Sequence, residues 1–408
     1  MSKRIVLGVS GGIAAYKVCE LLRLLTEAGH SVRVVPTAAA LRFVGAPTWA
    51  ALSGQPVADE VWDGVHEVPH VRIGQTAELV VVAPATADLL AKAAHGLADD
   101  LLTNTLLTAR CPVLYVPAMH TEMWEHPATA ENVATLRRRG GIVLDPAVGR
   151  LTGADTGKGR LPEPEEIFAV ATAVLRCGAA APDLAGRRVV VTAGGTREFL
   201  DPVRFLGNSS SGKQGYAFAR TAAARGAAVT LIAANVALPD PAGVEVVRVT
   251  TTEELRLAVH RAAEGADAVV MAAAPSDYRP AEYSAAKLKK PDDGGAPVLR
   301  LAVNPDIAAE LGRKKPTGQV LVAFAAETAE RPAGLANARV KLLGKNADLV
   351  VFNVVGRDRV FGADDSEVTV LDADGELTEL GPASKEALAD AVWDRVFTKW
   401  TDLPPGEH

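Results

Sequence analysis

Three glycine-rich stretches carry residue types that handle phosphate. Ser10-Gly11-Gly12 follows a short apolar run and precedes a helical pattern. Exposed amides at such a strand-to-helix turn bind anions, and glycine lets a ligand approach the backbone. The spacing is not GxGxxG, so it names no nucleotide, and a plain tight turn reads the same way. Gly207-Asn-Ser-Ser-Ser-Gly212-Lys213-Gln214 comes within one residue of the P-loop pattern. Gln214 stands where that loop needs a hydroxyl for Mg2+, and Arg204-Phe205-Leu206 is too short to be the strand that should feed it. A true P-loop is disfavoured, whereas a Ser/Gly/Lys loop that meets phosphate at a helix start fits. Tyr283 and Lys287 copy the YxxxK spacing of short-chain dehydrogenases, and Thr192-Ala-Gly-Gly-Thr196 could pass for their cofactor turn. Pro280 and Pro291 bracket that pair too closely for the helix it needs. Lys341 and Lys345 lie four apart on a predicted helix and so share one face, which by itself reads as a solvated cationic surface.

The elements that must position these residues alternate short β-branched runs with longer helical patterns, the signature of parallel sheets covered by helices. In the first part, Arg4–Val9, Ser31–Val35, Leu79–Ala83 and Pro112–Val116 read as buried strands. Ile13–Glu27, Ala87–His95, Ala128–Arg139 and Glu163–Arg176 read as helices. Arg137-Arg138-Arg139-Gly140-Gly141 closes one of them, with cations in the last turn and glycine after it. The small, Pro/Gly-marked stretch from Cys177 to Gly186 has no periodicity and reads as a domain boundary. Strands at Arg188–Thr192, Ala228–Ile232, Ala268–Ala273, Val320–Ala325 and Leu349–Asn353 then restart the pattern. Helices at Gly212–Arg225, Glu253–Glu264 and Leu335–Leu343 lie among them. Val368–Leu371 and Glu376–Leu380 read as a hairpin, and Ser384–Trp400 as a closing helix capped by Ser384. Tyr278–Arg300, rich in proline and lysine, reads as a long loop, functional or mobile.

A chain of 408 residues, 48% hydrophobic and 23% charged, suits two or three globular domains. Its net charge of −6 argues against a nucleic-acid binder. Its apolar runs break well before the ~18–20 residues that a membrane span needs. The run Ile5–Ser10 after Lys3-Arg4 stops at Gly11-Gly12, so it reads as a first strand rather than a signal peptide. Cys19, Cys111 and Cys177 are scattered and form no CxxC pair, which suits a reducing cytoplasm.

Further motifs appear in order along the chain. Gly8-Val-Ser-Gly-Gly-Ile-Ala-Ala-Tyr-Lys17, Ala83-Pro-Ala-Thr-Ala-Asp88, Ala98-Asp-Asp-Leu-Leu-Thr103 and Pro117-Ala-Met-His-Thr-Glu-Met-Trp124 resemble the flavin-dependent cysteine decarboxylases. Ala193-Gly-Gly-Thr-Arg-Glu198, Asp201-Pro-Val-Arg204, Asn208-Ser-Ser-Ser-Gly-Lys213, Ala272-Ala-Ala-Pro-Ser-Asp-Tyr-Arg279, Asn304-Pro-Asp-Ile307 and Phe324-Ala-Ala-Glu-Thr328 resemble phosphopantothenate–cysteine ligases. Each motif alone is weak. Their ordered set resembles the bacterial bifunctional family that joins both activities in coenzyme A biosynthesis.

That resemblance implies an α/β chain with two Rossmann-like domains: a decarboxylase over residues 1–177, a linker at 178–186, and a ligase over 187–408. It implies that the ligase uses CTP with Mg2+ to make an acyl-cytidylate of 4'-phosphopantothenate, which cysteine then captures. Asn208 and Lys287 align with the family's catalytic positions. Ala274 and Asp277 fall in the intermediate and nucleotide region. Pro305, Asp306, Ile307, Ala308 and Phe324 fall where cytidine is held, and Lys341 and Lys345 where phosphate is bound. In the decarboxylase the resemblance implies FMN held by Ser10, Gly11, Gly12, Thr37 and Thr86, with His70 as catalytic histidine. His120 replaces the asparagine expected to bind the substrate carboxylate. Gly153 stands where the family has a flap cysteine, which leaves Asp155, Lys158, His120 or solvent as proton donor. Relatives further imply a homo-oligomer, with flavin domains in trimers and ligase domains in dimers, combining in a closed assembly such as a dodecamer. Two competing readings are a ligase whose flavin half is mainly structural, and a flavoprotein regulator without turnover.

Overall fold

The computed structural model describes residues 2–57, 69–151, 155–177, 182–289, 298–327, 331–354 and 365–401. Contacts divide the chain into two units at Gly186/Arg187, with Ala223–Ala227 and Pro241–Gly243 grouped with the first.

The first unit is built on strands β1 (Arg4–Val9), β2 (Ser31–Pro36), β3 (Leu79–Ala85), β4 (Val113–Pro117) and β5 (Ile142–Val143). They form one parallel sheet in the order β2-β1-β3-β4-β5. All of β3 is buried, which is why its sequence is a continuous apolar run rather than an alternation. Side chains of period two feed two cores. Ile5, Leu7 and Val9 meet helices α1 (Ala15–Glu27) and α8 (Pro164–Cys177) on one face. Val6, Val80 and Val82 meet α3 (Pro69–Thr76), α4 (Ala87–His95), α5 (Leu101–Thr108) and α7 (Pro127–Arg138) on the other. Helix α2 (Ala46–Ser53) packs beside α1, and α6 (Thr121–Trp124) is a single turn after β4. Strands β6 (Ala147–Arg150) and β7 (Thr156–Arg160) form a hairpin outside the sheet.

The second unit carries an eight-stranded sheet. In chain order its strands are β8 (Arg188–Gly194), β11 (Ala228–Ala234), β12 (Val244–Val249), β13 (Ala268–Met271), β16 (Val320–Glu327), β17 (Leu349–Val354), β18 (Asp365–Asp372) and β19 (Leu377–Ser384). Their spatial order is β12-β11-β8-β13-β16-β17-β18-β19, parallel up to β17 and antiparallel beyond. Two small ribbons stand apart: β9 (Arg197–Phe199) with β10 (Phe205–Gly207), and β14 (Tyr278–Pro280) with β15 (Leu301–Val303). Helices α10 (Thr252–Ala263), α11 (Ile307–Lys314) and α12 (Arg331–Gly344) cover one face, where Leu255, Val259, Ile307, Leu311, Ala338 and Leu342 join the core. On the other, Phe218 of α9 (Lys213–Ala224) packs edge-on against Phe324 of β16 and Trp393 of α13 (Lys385–Thr401) at 5.6 and 5.8 Å.

The expected strands and helices are present with small changes of boundary. Ser384 caps α13 as expected, accepting from the Ala387 amide at 3.3 Å. Tyr278–Arg300 departs from a plain loop, because Tyr278–Pro280 pairs with Leu301–Val303 and ties its ends together. Residues 290–297 lie outside the described ones. Phe205–Gly207 is an antiparallel ribbon strand, so no parallel strand feeds the Gly207–Gln214 loop, and Tyr283 and Lys287 are not helical. Lys345 sits one residue past α12, yet its amide still donates to Lys341 O at 3.0 Å. Among the described residues no helix is long and apolar enough to cross a membrane.

Trp393 is fully buried and its indole N–H donates to Phe218 O at 3.1 Å. Trp393→Ala removes the ring that joins α13 to α9, and a loss of about 3–5 kcal/mol in chemical denaturation is expected.

Candidate functional sites

In each unit the chain leaves its first strand towards one side of the sheet and later returns on the other side of that strand. The crevice opened at the carboxyl ends there is where open α/β sheets bind ligands. In the first unit it lies between β1 and β3, and the Ser10-Gly11-Gly12 turn occupies it.

Hydrogen bonds set that turn. The Ser10 hydroxyl donates to Pro84 O at 2.6 Å and accepts from the Thr86 amide at 3.0 Å, and the Ser10 amide also donates to Pro84 O at 3.2 Å. Ser10 is 2% exposed, so its hydroxyl shapes the crevice. The Thr37 amide donates to Val9 O at 2.9 Å, which brings the end of β2 alongside. Thr86 caps α4, accepting from the Leu89 amide at 3.4 Å, and its hydroxyl proton stays available to an anion. A Cβ on Gly11 would collide with Ala39. Only a bare backbone fits there.

His70 lies in the first turn of α3, whose carbonyl accepts from the Thr108 hydroxyl at 2.8 Å. Its Nδ1 is buried and has no hydrogen-bond partner among the described residues. His120 precedes α6, with Nδ1 3.8 Å from Glu122. The β6–β7 hairpin closes on this segment: the Met119 amide donates to Gly159 O at 3.0 Å, and a Cβ on Gly157 would strike Thr121. Lys158 pairs with Asp145 at 2.6 Å and stands 6.0 Å from the Trp124 ring. Gly153 lies outside the described residues. Cys19 and Cys111 pack against the two cores rather than at the hairpin, and burial pushes the Cys111 thiol up to about 11.

In the second unit the crevice lies between β8 and β13, where Gly195 bridges Ala274 in parallel and the Ala274 amide donates to Gly194 O at 2.8 Å. Asn208 follows β10, and its amide group donates to Pro275 O at 2.8 Å. A Cβ on Gly195 would meet Asn208 O, and one on Gly207 would meet Thr196 O, so both glycines let the Asn208 segment approach β8 closely.

Beneath it runs a network that sequence reasoning left without a role. The Thr196 hydroxyl lies 2.9 Å from that of Thr252 and accepts from the Ser276 amide at 2.8 Å. The Thr252 hydroxyl donates to buried Glu198 at 2.7 Å, and Asn304 Nδ2 donates to Ser276 O at 2.8 Å. Thr196, Glu198 and Asn304 fall inside the motifs read above, but their type alone does not announce a network.

Comparison with known proteins covers both units. Residues 1–176 match the family model described as Flavoprotein, and residues 184–399 match the DNA/pantothenate metabolism flavoprotein C-terminal domain. The coenzyme A biosynthesis bifunctional protein CoaBC of Mycolicibacterium smegmatis is 58% identical over 402 residues, covering 97% of each chain. The proteins of the same description from Mycobacterium tuberculosis (strain ATCC 25618 / H37Rv) and Bacillus subtilis (strain 168) are 57% and 42% identical, over 97% and 94% of this chain and 96% and 94% of theirs. The chain belongs to the CoaBC family. A solved C-terminal domain of a CoaBC protein is 35% identical, covering 54% of this chain and 99% of its own, with a TM-score of 0.46.

Within this chain the structure gathers some of the expected positions and separates others. Ser10, Gly11, Gly12, Thr37 and Thr86 converge, as the bonds above show. Ala274 lines the second crevice beside Asn208, and the carbonyl of exposed Asp277 accepts from the Asn304 amide at 2.8 Å. Asp306 caps α11 through the Ala309 amide at 3.0 Å and holds Lys345 at 2.7 Å. Burial would raise its carboxyl, but Lys345 and the helix amides outweigh that and hold it below the usual range. Phe324 does not join Ile307 and Ala308. Those two belong to the α10–α12 face, whereas its ring packs on Phe218 on the opposite face.

Lys287 lies on an exposed segment fastened to the β9–β10 turn. The Ser284 amide donates to Leu200 O at 3.0 Å, and the Leu288 amide to Asp201 Oδ2 at 3.1 Å. Burial pushes the Asp201 carboxyl up, but the amides of Val203, Arg204 and Leu288 and the Arg204 charge reverse this and hold it at about 2.

Two outcomes are expected. Gly11→Ala places a methyl against Ala39 and should abolish flavin absorbance in the purified protein while far-ultraviolet circular dichroism persists. A carboxyl depressed in the folded state stabilises fully above its unfolded pKa of roughly 3.9 and loses that effect as pH falls through the folded value. Comparison of the wild type with Asp201→Asn by denaturant titration should therefore show a stability gap that is constant at neutral pH. Between about pH 4 and pH 2 the gap should close.

Proposed function

We propose that this chain performs two consecutive steps of coenzyme A biosynthesis, with the ligase in residues 187–408 and the decarboxylase in residues 1–177. The supporting observation is one continuous match, through both units, to CoaBC proteins. In the first step the carboxylate of 4'-phosphopantothenate attacks the α-phosphorus of CTP, forming an acyl-cytidylate and releasing pyrophosphate. The cysteine amine then attacks the acyl carbon, and its C–O bond to CMP breaks. In the second step the cysteinyl carboxylate leaves as CO2, giving 4'-phosphopantetheine.

Each ligase residue suits one task. The Asn208 side chain is oriented through Pro275 and keeps Oδ1 and one N–H for an acyl phosphate. Lys287 brings a mobile cation to the charge that develops during acyl transfer. Ala274 and Asp277 border the intermediate, and Pro305, Asp306, Ile307 and Ala308 lie at the start of α11, where cytidine would be read. Phe324 would serve that pocket from its backbone. Lys341 and Lys345 face the phosphates, and Mg2+ travels with the triphosphate, whose hard oxygens are its natural ligands.

The first crevice fits FMN, because the Gly11 position excludes a Cβ and the Thr86 hydroxyl and the start of α4 offer donors to its phosphate. Bound FMN supplies an electron-pair acceptor that later returns the electrons, so the decarboxylation is redox-neutral overall. His70, whose Nδ1 has no partner among the described residues, is the group we assign to move a proton at the substrate. His120 takes the substrate carboxylate as a donor. Lys158 is engaged with Asp145, which leaves Asp155, His120 or solvent as the more open proton sources. A cytoplasmic homo-oligomer built from three-fold flavin and two-fold ligase contacts accords with the same family reading.

Purified protein should be yellow and should release pyrophosphate and CO2 from 4'-phosphopantothenate, CTP and cysteine, with 4'-phosphopantetheine identified by mass spectrometry. His70→Asn should accumulate phosphopantothenoylcysteine. Asn208→Ala should slow ligation about a hundredfold without loss of flavin colour, and unimpaired ligation in that variant would remove Asn208 from the mechanism.

A further inference from the structure

One buried carboxylate joins the two segments that carry the ligase residues assigned above. The Asp201 side chain is fully buried, although it sits in a turn between two ribbon strands. Its Oδ1 accepts from the amides of Val203 and Arg204, both at 2.8 Å, which closes the turn between β9 and β10. Its Oδ2 accepts from Arg204 Nε at 2.9 Å and from the Leu288 amide at 3.1 Å. The Arg204 guanidinium donates in turn to Leu288 O. The Leu200 amide donates to Arg204 O at 2.8 Å, completing the turn. Asn208 directly follows the strand that leaves this turn, and Lys287 directly precedes the residue that Asp201 grips.

A carboxylate has about four acceptor sites, and the amides of Val203, Arg204 and Leu288 together with the Arg204 side chain occupy them. A surface turn needs only the first pair, as in an ordinary Asx turn. Of the second pair, the Arg204 side chain is local, but the Leu288 amide belongs to a segment far away in sequence that is otherwise exposed. A long lysine side chain on such a segment loses much of its effect when its backbone drifts, because acyl transfer is sensitive to displacements of about 1 Å.

We infer that Asp201 is a positioning residue for the ligase, fixing the backbone at Leu288 so that Lys287 stays registered with Asn208 across the second crevice. It touches no substrate. The inference rests on the role proposed for Lys287, and the test separates the two.

The full chain, loaded with flavin, is assayed for ligation in wild type, Asp201→Asn, Lys287→Ala and the double variant. The carboxamide of Asp201→Asn keeps the size of the side chain but turns one acceptor into a donor that faces the Leu288 N–H. Ligation kcat should fall about ten- to a hundredfold, with KM for CTP within about twofold. Flavin absorbance and decarboxylation of supplied phosphopantothenoylcysteine should be retained. In the Lys287→Ala background the same change should cost less than about twofold more, because the residue it acts through is gone. If Lys287→Ala is impaired and the two losses multiply, the inference is overturned while the role of Lys287 stands. An unimpaired Lys287→Ala enzyme removes the role of Lys287 and this inference together. Should Asp201→Asn fail to fold, Leu288→Pro deletes the donated N–H and leaves Asp201 in place. It should show the same kcat loss and the same lack of multiplication, and unchanged kcat in Leu288→Pro would overturn the inference.

Discussion

The parallel sheet imposes the constraint from which both sites follow. Strands that run side by side in one direction place all their carboxyl ends on one edge, and a crevice opens only where neighbouring connections depart in opposite directions. Each unit has one such place next to its own first strand, β1 or β8. Short turns rich in Gly, Ser and Thr occupy both, because larger side chains would fill the space and bury backbone donors that a phosphate can use.

Around those crevices the two units solve different problems. The first needs a cradle, and obtains it from side-chain hydroxyls that brace neighbouring turns, with Ser10 bridging to Pro84 and Thr86. The second must assemble groups from ribbons outside the main sheet, since β9, β10, β14 and β15 belong to none of its eight strands. There the bracing falls to buried and half-buried polar links: Thr196 with Thr252, Asn304 with Ser276, and Asp201 with Leu288. Such links are costly unless every partner is satisfied, so they hold a particular geometry more strictly than apolar packing does.

The sheet strands and most covering helices were legible because burial on two faces leaves long apolar runs such as Leu79–Ala85, and helices leave a period near 3.6. The ribbons were not. Arg197–Phe199 and Tyr278–Pro280 are three residues each, too short to carry periodicity, and their pairing is fixed by distant partners. Helix α11 escapes sequence reading for another reason: Ile307, Ala308 and Leu311 do share one face, but eight residues are too short a window to tell a helix from a turn. At the sites, glycine and serine positions could be read from type and order. The separation of Phe324 from Ile307 could not, because it depends on which face of β16 each neighbour covers.

The internal bonding of the Ser10 hydroxyl, to Pro84 and Thr86, has a thermodynamic consequence for whatever enters the first crevice. Every bond that shapes the turn is made within the chain, so the cradle acquires its form when the domain folds. Ordering entropy that would otherwise oppose association has already been lost by then. An arriving phosphate meets a preorganised receptor, and more of its contact energy is left to appear as affinity.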